Sequence, residues 1–218
     1  MTLHAHHLRG LYVLTDAAML PGAKLLPGVA SAIHGGAKLV QYRDKSADSA
    51  RREREALALR SLCSEYGAVF IVNDDVELAR RVNADGVHLG QDDAPLEQAR
   101  IALGPHTLIG VSCYDSLQRA TDAAQAGADY VAFGSFFASP SKPQAARAPL
   151  DLLESARAQL GIPLCAIGGI QPEHGAALLA AGADMLAVIS GVFSAPDIEQ
   201  AARRYAQLFE KPGVEDDE

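Results

Sequence analysis

The sequence has no tryptophan, few other aromatic residues and only three cysteines. Of its 218 residues, 6% are aromatic and 49% are hydrophobic, so the core must be built mainly from Ala, Val, Leu and Ile. Cys63, Cys113 and Cys165 are odd in number and far apart, which argues against a disulfide framework or a metal site and predicts reduced thiols. We expect Cys165 in the core. Cys113 follows a predicted strand and could line a site, although burial is the commoner outcome.

Long hydrophobic runs and a basic face are also missing. No segment approaches the roughly 20 apolar residues of a membrane helix, and residues 1–10 do not resemble a signal peptide, so we expect a soluble, cytoplasmic protein without membrane partners. The formal net charge is −8, and four of these charges come from the last four residues. A mildly acidic body argues against general nucleic-acid binding, which needs a basic face. A local group of cations still allows anionic substrates.

One pattern repeats along the chain, namely a short apolar run, a polar turn and a helical stretch rich in Ala and Leu. The apolar runs predict strands at Leu11–Thr15, Leu39–Arg43, Val69–Asn73, Gly86–Leu89, Leu108–Ser112, Tyr130–Gly134, Leu164–Ile167 and Met185–Ser190. Helices are predicted between and after them, for example at Asp48–Glu65, Ser116–Ala126, Pro172–Ala181 and Asp197–Leu208.

Eight strands alternating with helices predict an α/β fold, a single-domain (β/α)8 barrel over residues 11–209. Residues 1–10 would form an N-terminal extension and residues 210–218 an acidic disordered tail. An open doubly wound sheet is the alternative, but the first predicted strand is not followed by G-x-G-x-x-G. A weak repeat supports the strand count, because Gly-Gly-Ala-Lys, Asn-Ala-Asp-Gly and two copies of Ala-Gly-Ala-Asp mark helix-to-strand junctions before Leu39, Val87, Tyr130 and Met185.

Polar side chains follow the second predicted strand, which ends Gln41-Tyr42-Arg43-Asp44-Lys45. Because strand side chains alternate between faces, Gln41, Arg43 and Lys45 should share one face. The active site of a (β/α)8 barrel forms at the carboxyl ends of its strands. An amide and two cations at such an end favour an anion site over a solvated loop with salt bridges.

Carboxylates follow the third and fourth predicted strands, in segments 73–75 and 90–93. Neighbouring strand ends can share one cation, and Mg²⁺ is often held by one or two carboxylates together with substrate phosphates. The alternative is helix capping, for which Asp is a preferred residue. We assign Asp75 to capping and keep Asp74 and Asp93 as candidate Mg²⁺ ligands.

Three further segments at the strand ends suit phosphate groups. Loop 135–148 contains hydroxyls and Lys142, so it is either a lid over a phosphate or an ordinary flexible connection. Gly168-Gly169 and Ser190-Gly191 follow the last two strands, where such barrels frequently bind phosphate, although tight turns also need glycine. A general base is not evident, because His88 lies within a strand and is expected to be a buried, hydrogen-bonded core residue.

In order along the chain, these motifs resemble those of the thiamine-phosphate synthase family, from about residue 11 to residue 194. The matching segments are 41–45, 73–75, 86–93, 110–112, 134–142, 167–170 and 188–190. The resemblance implies a transferase that joins hydroxymethylpyrimidine diphosphate to hydroxyethylthiazole phosphate, with Mg²⁺ as cofactor, and releases thiamine phosphate and pyrophosphate. It implies that pyrophosphate leaves first and that the thiazole nitrogen, which carries no proton, captures the pyrimidine-methyl cation. Such a reaction needs no general base.

The resemblance also implies which residues form the site. The pyrimidine diphosphate would be held by Gln41, Arg43, Lys45, Asn73, Ser112 and Lys142, of which Arg43, Lys45, Ser112 and Lys142 would be catalytic. Mg²⁺ would be held by Asp74 and Asp93. The thiazole phosphate would be held by Ser139, Ser141, Gly169, Ile189 and Ser190.

Three features depart from the family pattern. Ser139 and Ser141 replace two threonines and keep their hydroxyls, while Ser135 replaces a proline and Tyr114 a histidine. The last two leave the ordering of the loop and the detail of the pyrimidine site open. The sequence also leaves the oligomeric state open, a homo-oligomer included.

Three other functions fit parts of the pattern. A thiazole tautomerase, which resembles this family, would need neither the two carboxylates nor the cations after the second strand. A Schiff-base aldolase would use Lys142, but this residue lies out on the loop and not in a strand. A non-catalytic phosphate-binding or regulatory barrel would bind thiazole phosphate without turnover.

Overall fold

A computed structural model of the protein describes residues 8–138 and 147–210. Within these residues, eight parallel strands close into a barrel in chain order. The strands are β1 Gly10–Leu14, β2 Leu39–Tyr42, β3 Val69–Asn73, β4 Gly86–Leu89, β5 Leu108–Tyr114, β6 Tyr130–Phe133, β7 Leu164–Ile167 and β8 Met185–Val188. The last strand pairs with the first, with Tyr12 opposite Ala187. The predicted (β/α)8 barrel is therefore confirmed.

Helices alternate with the strands in the described part of the chain. They are α1 Leu25–His34, α2 Ser49–Tyr66, α3 Val76–Arg81, α4 Leu96–Leu103, α5 Leu117–Gln125, α6 Asp151–Gln159, α7 Pro172–Ala180, α8 Ser190–Phe193 and α9 Ile198–Ala206. Several of these helices begin directly after a residue whose side chain caps the first turn. Asp48, Asp75, Ser116 and Asp197 each accept a hydrogen bond from a backbone N–H in the first turn, so the capping role predicted for Asp75 is confirmed.

Two strand ends differ from the prediction by two residues. Strand β5 continues past Ser112 to Tyr114 through an irregularity in its pairing with β6. Strand β8 stops at Val188 because helix α8 already begins at Ser190. Hydrophobic pattern alone does not place these ends, since Cys113 and Tyr114 follow the predicted end of β5 and Ile189 follows the observed end of β8.

The buried apolar side chains form two layers on either side of the strands. Leu11, Val13 and Phe70 belong to the outer layer, between the strands and the helices, whereas Tyr12 and Ile71 belong to the layer inside the barrel. Successive strand residues alternate between the two layers. Both faces of each strand are therefore covered, which explains why the strands read as continuous apolar runs.

The three cysteines are free and buried. Cys165 lies in the inner layer, as predicted for a core residue, and Cys113 lies in the outer layer. Burial raises the pKa of the Cys113 thiol to about 12, so this residue is a packed thiol and does not line the strand ends.

Several predicted features lie largely outside the described residues. The predicted extension at residues 1–10 is described only from Leu8, and the predicted tail at 210–218 only at Glu210. The central part of loop 135–148, residues 139–146, also lies outside them. Among the described residues, no helix has both the length and the apolar character needed to cross a membrane.

One arrangement recurs at the edge where the strands begin, called here the amino-terminal rim. The backbone N–H of the residue before each even-numbered strand donates to a carbonyl of the preceding strand. The donor and acceptor pairs are Lys38 and Leu11, Asp85 and Phe70, Asp129 and Ile109, and Asp184 and Leu164. These junctions are the ones that the sequence repeat marks.

Three of the four junctions carry an aspartate that also accepts a hydrogen bond from its partner's backbone N–H, at 2.7–2.8 Å. Each aspartate meets an arginine of an earlier helix. Arg60 of α2 lies 3.2 Å from Asp85, and Arg100 of α4 lies 2.6 Å from Asp129. Arg157 of α6 contacts Asp184. The aspartates of the repeat therefore connect the strands to the helices at this rim, through backbone hydrogen bonds and ion pairs.

Candidate active site

Those predicted site residues that the structure describes lie at the opposite edge, where the strands end, called here the carboxyl-terminal rim. Side chains alternate at the end of β2 as predicted. Gln41 lies inside the barrel and is 1% exposed, whereas Tyr42 lies in the outer layer and donates to Glu55 at 2.7 Å. On the same outer side, Asp44 pairs with Arg51. Alternation thus separates the inward-facing Gln41 from an ion pair on the outer side.

The two cations that follow β2 differ in their surroundings. The backbone N–H of Arg43 donates to Thr15 Oγ1 at 2.9 Å, and its guanidinium makes no hydrogen bond or ion pair with the other described residues. Lys45 is well exposed, and its Nζ lies 3.6 Å from Asp74 Oδ2. Both charges are therefore available to an anion at this rim.

Asp74 and Asp93, which follow neighbouring strands, lie side by side. Burial and the adjoining Asp93 carboxylate raise the pKa of Asp74, while Lys45 acts in the opposite direction. The backbone of Asp74 has a φ of 63°, a left-handed conformation that Asp tolerates better than most residues. Asp93 accepts a hydrogen bond from the Gly90 N–H at 2.6 Å. A divalent cation between the two carboxylates would relieve their repulsion.

The donor set favours one class of metal. The described residues contain no group of three or more His, Cys, Asp and Glu side chains arranged to hold an ion. A structural zinc site needs four protein ligands. Two carboxylates suit Mg²⁺, which keeps several waters and takes further oxygens from a bound phosphate.

A chain of hydrogen bonds crosses the barrel interior beneath the rim. Gln41 Nε2 donates to Tyr12 Oη at 2.7 Å, and Tyr12 Oη lies 3.0 Å from Tyr130 Oη. Tyr130 Oη lies 3.0 Å from His88 Nδ1, and His88 Nε2 lies 2.9 Å from Ser112 Oγ. His88 is therefore the buried, hydrogen-bonded residue that the sequence predicts.

Burial keeps the members of this chain uncharged. It lowers the pKa of His88 to about 4 and raises the pKa values of Tyr12 and Tyr130 above the ordinary value. At neutral pH the imidazole is neutral and both phenols keep their protons. None of the three is suited to act as a charged base or nucleophile.

Sequence reasoning does not identify Tyr12 and Tyr130 as site residues. Both lie in predicted strands, and a buried Tyr hydroxyl usually finds a partner, but the partner is remote in sequence. Gly110 is a second signal, because a Cβ atom at this position would overlap the Tyr130 ring. The missing side chain on β5 lets this ring lie across the barrel.

The loops that follow β6 and β7 pack directly against each other. Gly168 and Gly169 have positive φ values of 103° and 63°. A Cβ atom on Gly168 would overlap Ser135, and one on Gly169 would overlap the backbone of Phe137 and Ala138. The close approach that these glycines permit is thus to the loop after β6, which they hold at the rim.

Ile189 and Ser190 connect β8 to α8. The Ile189 side chain packs against the inner layer, and its carbonyl accepts hydrogen bonds from the first turn of α8 at 3.0–3.2 Å. Ser190 is the first residue of this helix. Its N–H belongs to the first turn, where backbone donors lack helical partners.

The remaining candidates are placed only in part. Ser139, Ser141 and Lys142 lie outside the described residues. Tyr114 has a φ of 55° and is 39% exposed, with the Arg119 guanidinium 5.8 Å from its ring centroid. Ser135 Oγ donates to the Phe137 carbonyl at 2.9 Å.

Comparison with known proteins identifies the family. The family model described as thiamine monophosphate synthase matches residues 11–192. The thiamine-phosphate synthase of Thioalkalivibrio sulfidiphilus is 55% identical over 210 residues, which cover 96% of this chain and all of the relative. That of Azoarcus sp. (strain BH72) is 56% identical over 203 residues, covering 93% of this chain and 98% of the relative.

A solved structure gives the same result. The thiamine phosphate pyrophosphorylase from Pyrococcus furiosus superposes with a TM-score of 0.83 at 36% identity, covering 93% of this chain and 96% of the other. The match extends along both chains for nearly their whole length. The chain therefore belongs to the thiamine monophosphate synthase family.

Proposed function

We propose that the carboxyl-terminal rim joins hydroxymethylpyrimidine diphosphate to hydroxyethylthiazole phosphate, with Mg²⁺, to form thiamine phosphate and pyrophosphate. The protein is a transferase of thiamine biosynthesis, as its relatives indicate. The observation that carries the assignment to this rim is the adjacent pair Asp74 and Asp93 with Lys45 beside it. Two like charges next to a cation suit a metal-bound diphosphate.

Asp74 and Asp93 would hold the metal through their carboxylate oxygens. The adjacency of the two carboxylates fits this role, because a cation bound between them would offset their electrostatic repulsion. Bound Mg²⁺ would neutralise negative charge on the departing pyrophosphate.

The cations would bind the diphosphate itself. Arg43 and Lys45 follow the end of β2, and Lys142, outside the described residues, would approach from the loop after β6. A guanidinium can contact two phosphate oxygens at once, whereas an ammonium acts as a point charge. Together they would stabilise the leaving group as its bond to carbon breaks.

Polar groups inside the barrel would orient the pyrimidine. Gln41 is almost fully buried, and its Oε1 has no hydrogen-bond partner in the described part of the chain. A buried acceptor of this kind is costly unless a ligand supplies a donor. Asn73, the last residue of β3, and Ser112 on β5 would complete this contact set.

The thiazole phosphate would bind where the loops after β6, β7 and β8 meet. Gly169 lies against the Phe137–Ala138 backbone, directly before Ser139, and Ser141 follows in the same loop. Ile189 and Ser190 stand at the start of α8. Backbone N–H groups and hydroxyls from these segments suit a phosphate at this end of a barrel.

The reaction would proceed without a general base. The carbon–oxygen bond of the pyrimidine diphosphate breaks, pyrophosphate takes the electron pair, and the thiazole nitrogen supplies a pair to the resulting cation. That nitrogen carries no proton, so none has to be removed. His88 is consistent with this scheme, because it is buried, neutral and bonded on both ring nitrogens.

The direct test is an assay of purified protein with both substrates, with and without Mg²⁺. We expect thiamine phosphate and pyrophosphate in equal amounts, and loss of both when the metal is chelated. Turnover that persists under chelation would contradict the metal assignment. Binding of thiazole phosphate without any turnover would instead support a non-catalytic barrel.

A further inference from the structure

One imidazole contacts both the loop after β6 and the turn after β7, which meet at the proposed thiazole phosphate site. The ring of His174, in the first turn of α7, stacks on the ring of Phe137 with 3.7 Å between centroids and 12° between planes. At the edge of the same ring, Nδ1 accepts a hydrogen bond from the Gln171 backbone N–H at 3.1 Å. Phe137 follows β6 and Gln171 follows β7, so His174 connects the two segments.

The turn after β7 is short, and hydrogen bonds hold its second half. It covers residues 168–171, between the end of β7 and the start of α7. The Ile170 carbonyl accepts from Tyr205 Oη at 2.9 Å, and the N–H that follows it donates to His174. These bonds restrict the backbone of Gly169, which is a proposed contact of the phosphate.

The loop after β6 lies on this turn through its backbone. The Phe136 N–H donates to the Ile167 carbonyl at 3.2 Å, and the Phe137 N–H donates to the Gly168 carbonyl at 3.0 Å. Glycine allows the two backbones to approach but contributes no side chain to the contact. The stack of Phe137 on His174 supplies a side-chain contact that the glycine turn itself cannot provide.

The position of Phe137 also affects the rest of this loop. Its carbonyl accepts from Ser135 Oγ at 2.9 Å, and the Ser135 carbonyl accepts from the Ala148 N–H at 2.9 Å, so the two described ends of the loop are bonded to each other. Ser139, a proposed phosphate contact, follows Ala138 directly in the sequence. A shift of Phe137 would therefore displace the segment from which this contact comes.

We propose that His174 is a positioning residue for thiazole phosphate binding, because its ring holds the start of the loop after β6 against the glycine turn after β7. The inference rests on the proposed function, since it takes this junction as the place where the thiazole phosphate binds. A stacked aromatic pair changes an equilibrium by a factor of about 3 to 10. When the loop start leaves the turn in a fraction of the molecules, the apparent affinity for the phosphate falls accordingly.

Two substitutions separate the ring of His174 from its hydrogen bond. His174→Gln keeps a side-chain acceptor for the Gln171 N–H, as the third helical residue does in a capping box, but removes the ring. His174→Phe keeps a flat ring against Phe137 and removes the acceptor. A role in holding the helix alone would be affected by the second change, whereas a role in holding the loop is affected by the first.

The first measurement is KM for each of the two substrates. In His174→Gln, we expect KM for the thiazole phosphate to rise about 3- to 10-fold. KM for the pyrimidine diphosphate should rise less, because most of its proposed contacts lie on or directly after β2, β3 and β5. In His174→Phe, we expect KM for the thiazole phosphate to stay close to wild type, while the midpoint of thermal unfolding falls through loss of the cap.

The second measurement needs no substrate. The Phe137 N–H exchanges with solvent when its hydrogen bond to the Gly168 carbonyl opens. We expect this exchange to be about 3- to 10-fold faster in His174→Gln and close to wild type in His174→Phe. The Ile109 N–H, which is bonded to Asp129 at the amino-terminal rim, is the internal reference and should exchange equally in all the variants.

The matched control is His34→Gln, which makes the same substitution in another aromatic pair. His34 packs against Tyr66 with 5.0 Å between ring centroids, where α1 and α2 end, away from the carboxyl-terminal rim. We expect both KM values and the exchange of the Phe137 N–H to stay at the wild-type level in this variant.

The outcomes separate the inference from the proposed function. A wild-type protein that does not join the two substrates would overturn the proposed function and this inference with it. Normal wild-type turnover with an unchanged KM for the thiazole phosphate in His174→Gln would overturn the inference alone. The same holds if both KM values rise equally in His174→Gln, if His174→Phe raises KM for the thiazole phosphate as much as His174→Gln does, or if Phe137 exchange is unchanged in His174→Gln.

Discussion

The two rims of the barrel differ in how their polar groups are satisfied. At the amino-terminal rim, three aspartates accept backbone hydrogen bonds and each meets an arginine. At the carboxyl-terminal rim, Asp74 and Asp93 are adjacent like charges, and buried Gln41 Oε1 has no partner among the described residues. The polar groups of the first rim are paired among the described residues, whereas our proposal assigns those of the second rim to a ligand.

This difference separates the residues that stabilise the fold from those that serve the reaction. Paired charges and satisfied backbone groups at the amino-terminal rim lower the free energy of the folded state. Unsatisfied groups at the other rim raise it, and under the proposed function a bound substrate or metal would offset that cost. Substitutions at the two rims should therefore have different effects.

The largest expected effect is on catalysis at the carboxyl-terminal rim. In Asp93→Asn the side chain can still accept from the Gly90 N–H but loses its negative charge. Because charge stabilisation of the leaving group is lost, we expect turnover to fall about 100- to 1,000-fold. Pyrophosphate release measures the rate, and calorimetry measures thiazole phosphate binding, which should remain nearly intact.

The neighbouring Asp92 is a matched control for this change. It is exposed and adjacent in sequence, and Asp92→Asn removes the same charge. Turnover should change little in this variant. Equal losses in both variants would show that the net charge of the loop, and not a metal contact of Asp93, controls the rate.

The next largest effect is on the free energy of unfolding and comes from His88, which lies inside the barrel between the two rims. Burial lowers the pKa of His88 from 6.5 to about 4, so the unfolded chain binds this proton more tightly than the folded protein. The stabilisation from a neutral His88 is complete above about pH 6.5 and is lost as the pH falls towards 4. The loss should amount to about 3 kcal/mol in the free energy of unfolding.

Urea unfolding of the wild type and of His88→Gln from pH 7 to pH 4 would measure this effect. Other titrating groups are common to both proteins, so the difference between the two free energies isolates His88. That difference should shift against the wild type as the pH is lowered. A difference that stays constant with pH would show that His88 has the same pKa in the folded and unfolded states.

A smaller effect is expected at the amino-terminal rim. Asp129→Ala removes the acceptor of the Ile109 N–H and the partner of Arg100. The Ile109 N–H is left without its acceptor, and Arg100 loses its carboxylate partner while keeping its hydrogen bonds to three backbone carbonyls, so we expect a loss of about 2 kcal/mol in the free energy of unfolding. The midpoint of urea unfolding should fall while kcat and KM at saturating metal stay close to wild type. A large loss of turnover in the folded variant would contradict the view that residues of the amino-terminal rim affect stability but not catalysis.

The smallest effect is expected at the fourth junction of the same rim. Lys38 occupies the position of the three aspartates and makes the same backbone hydrogen bond to Leu11, but its side chain is exposed. Lys38→Ala should therefore change the free energy of unfolding by less than about 0.5 kcal/mol. If Lys38→Ala lowered the free energy of unfolding as much as Asp129→Ala, the arginine–aspartate pairs would not be the source of stability at this rim.

Much of the fold follows from local pattern in the sequence. The bounds of β3, β4 and β7 match those predicted from apolar runs, because each run ends in polar or glycine residues. The ends of β5 and β8 differ, since an irregularity near Ser112 and the start of α8 at Ser190 leave the apolar pattern unchanged. Asp75 could be assigned to capping because an N-cap acts within its own helical turn.

Pairing between distant segments could not be predicted in the same way. Alternation along β2 predicts that Gln41 faces inward, but not that it reaches Tyr12. The side chains of Tyr12 and Tyr130 are 118 residues apart in sequence and meet inside the barrel. Likewise, the sequence suggests that Gly168 and Gly169 approach a phosphate. Only the structure shows that Ser135 and Ala138 of the loop after β6 lie against them.

By itself the sequence determined the alternation of strands and helices, the set of polar residues at the strand ends and the resemblance to a family. The elements depend on interactions within a few residues, and the polar residues and family motifs are short segments, so all three can be recognised along the chain. The tertiary structure alone decided that Asp74 meets Asp93, that an aspartate repeat closes the opposite rim, and that Gln41 and Ser112 are linked through three buried side chains. Closure of the barrel brings these groups together from distant segments, and contacts of that kind leave no local signature.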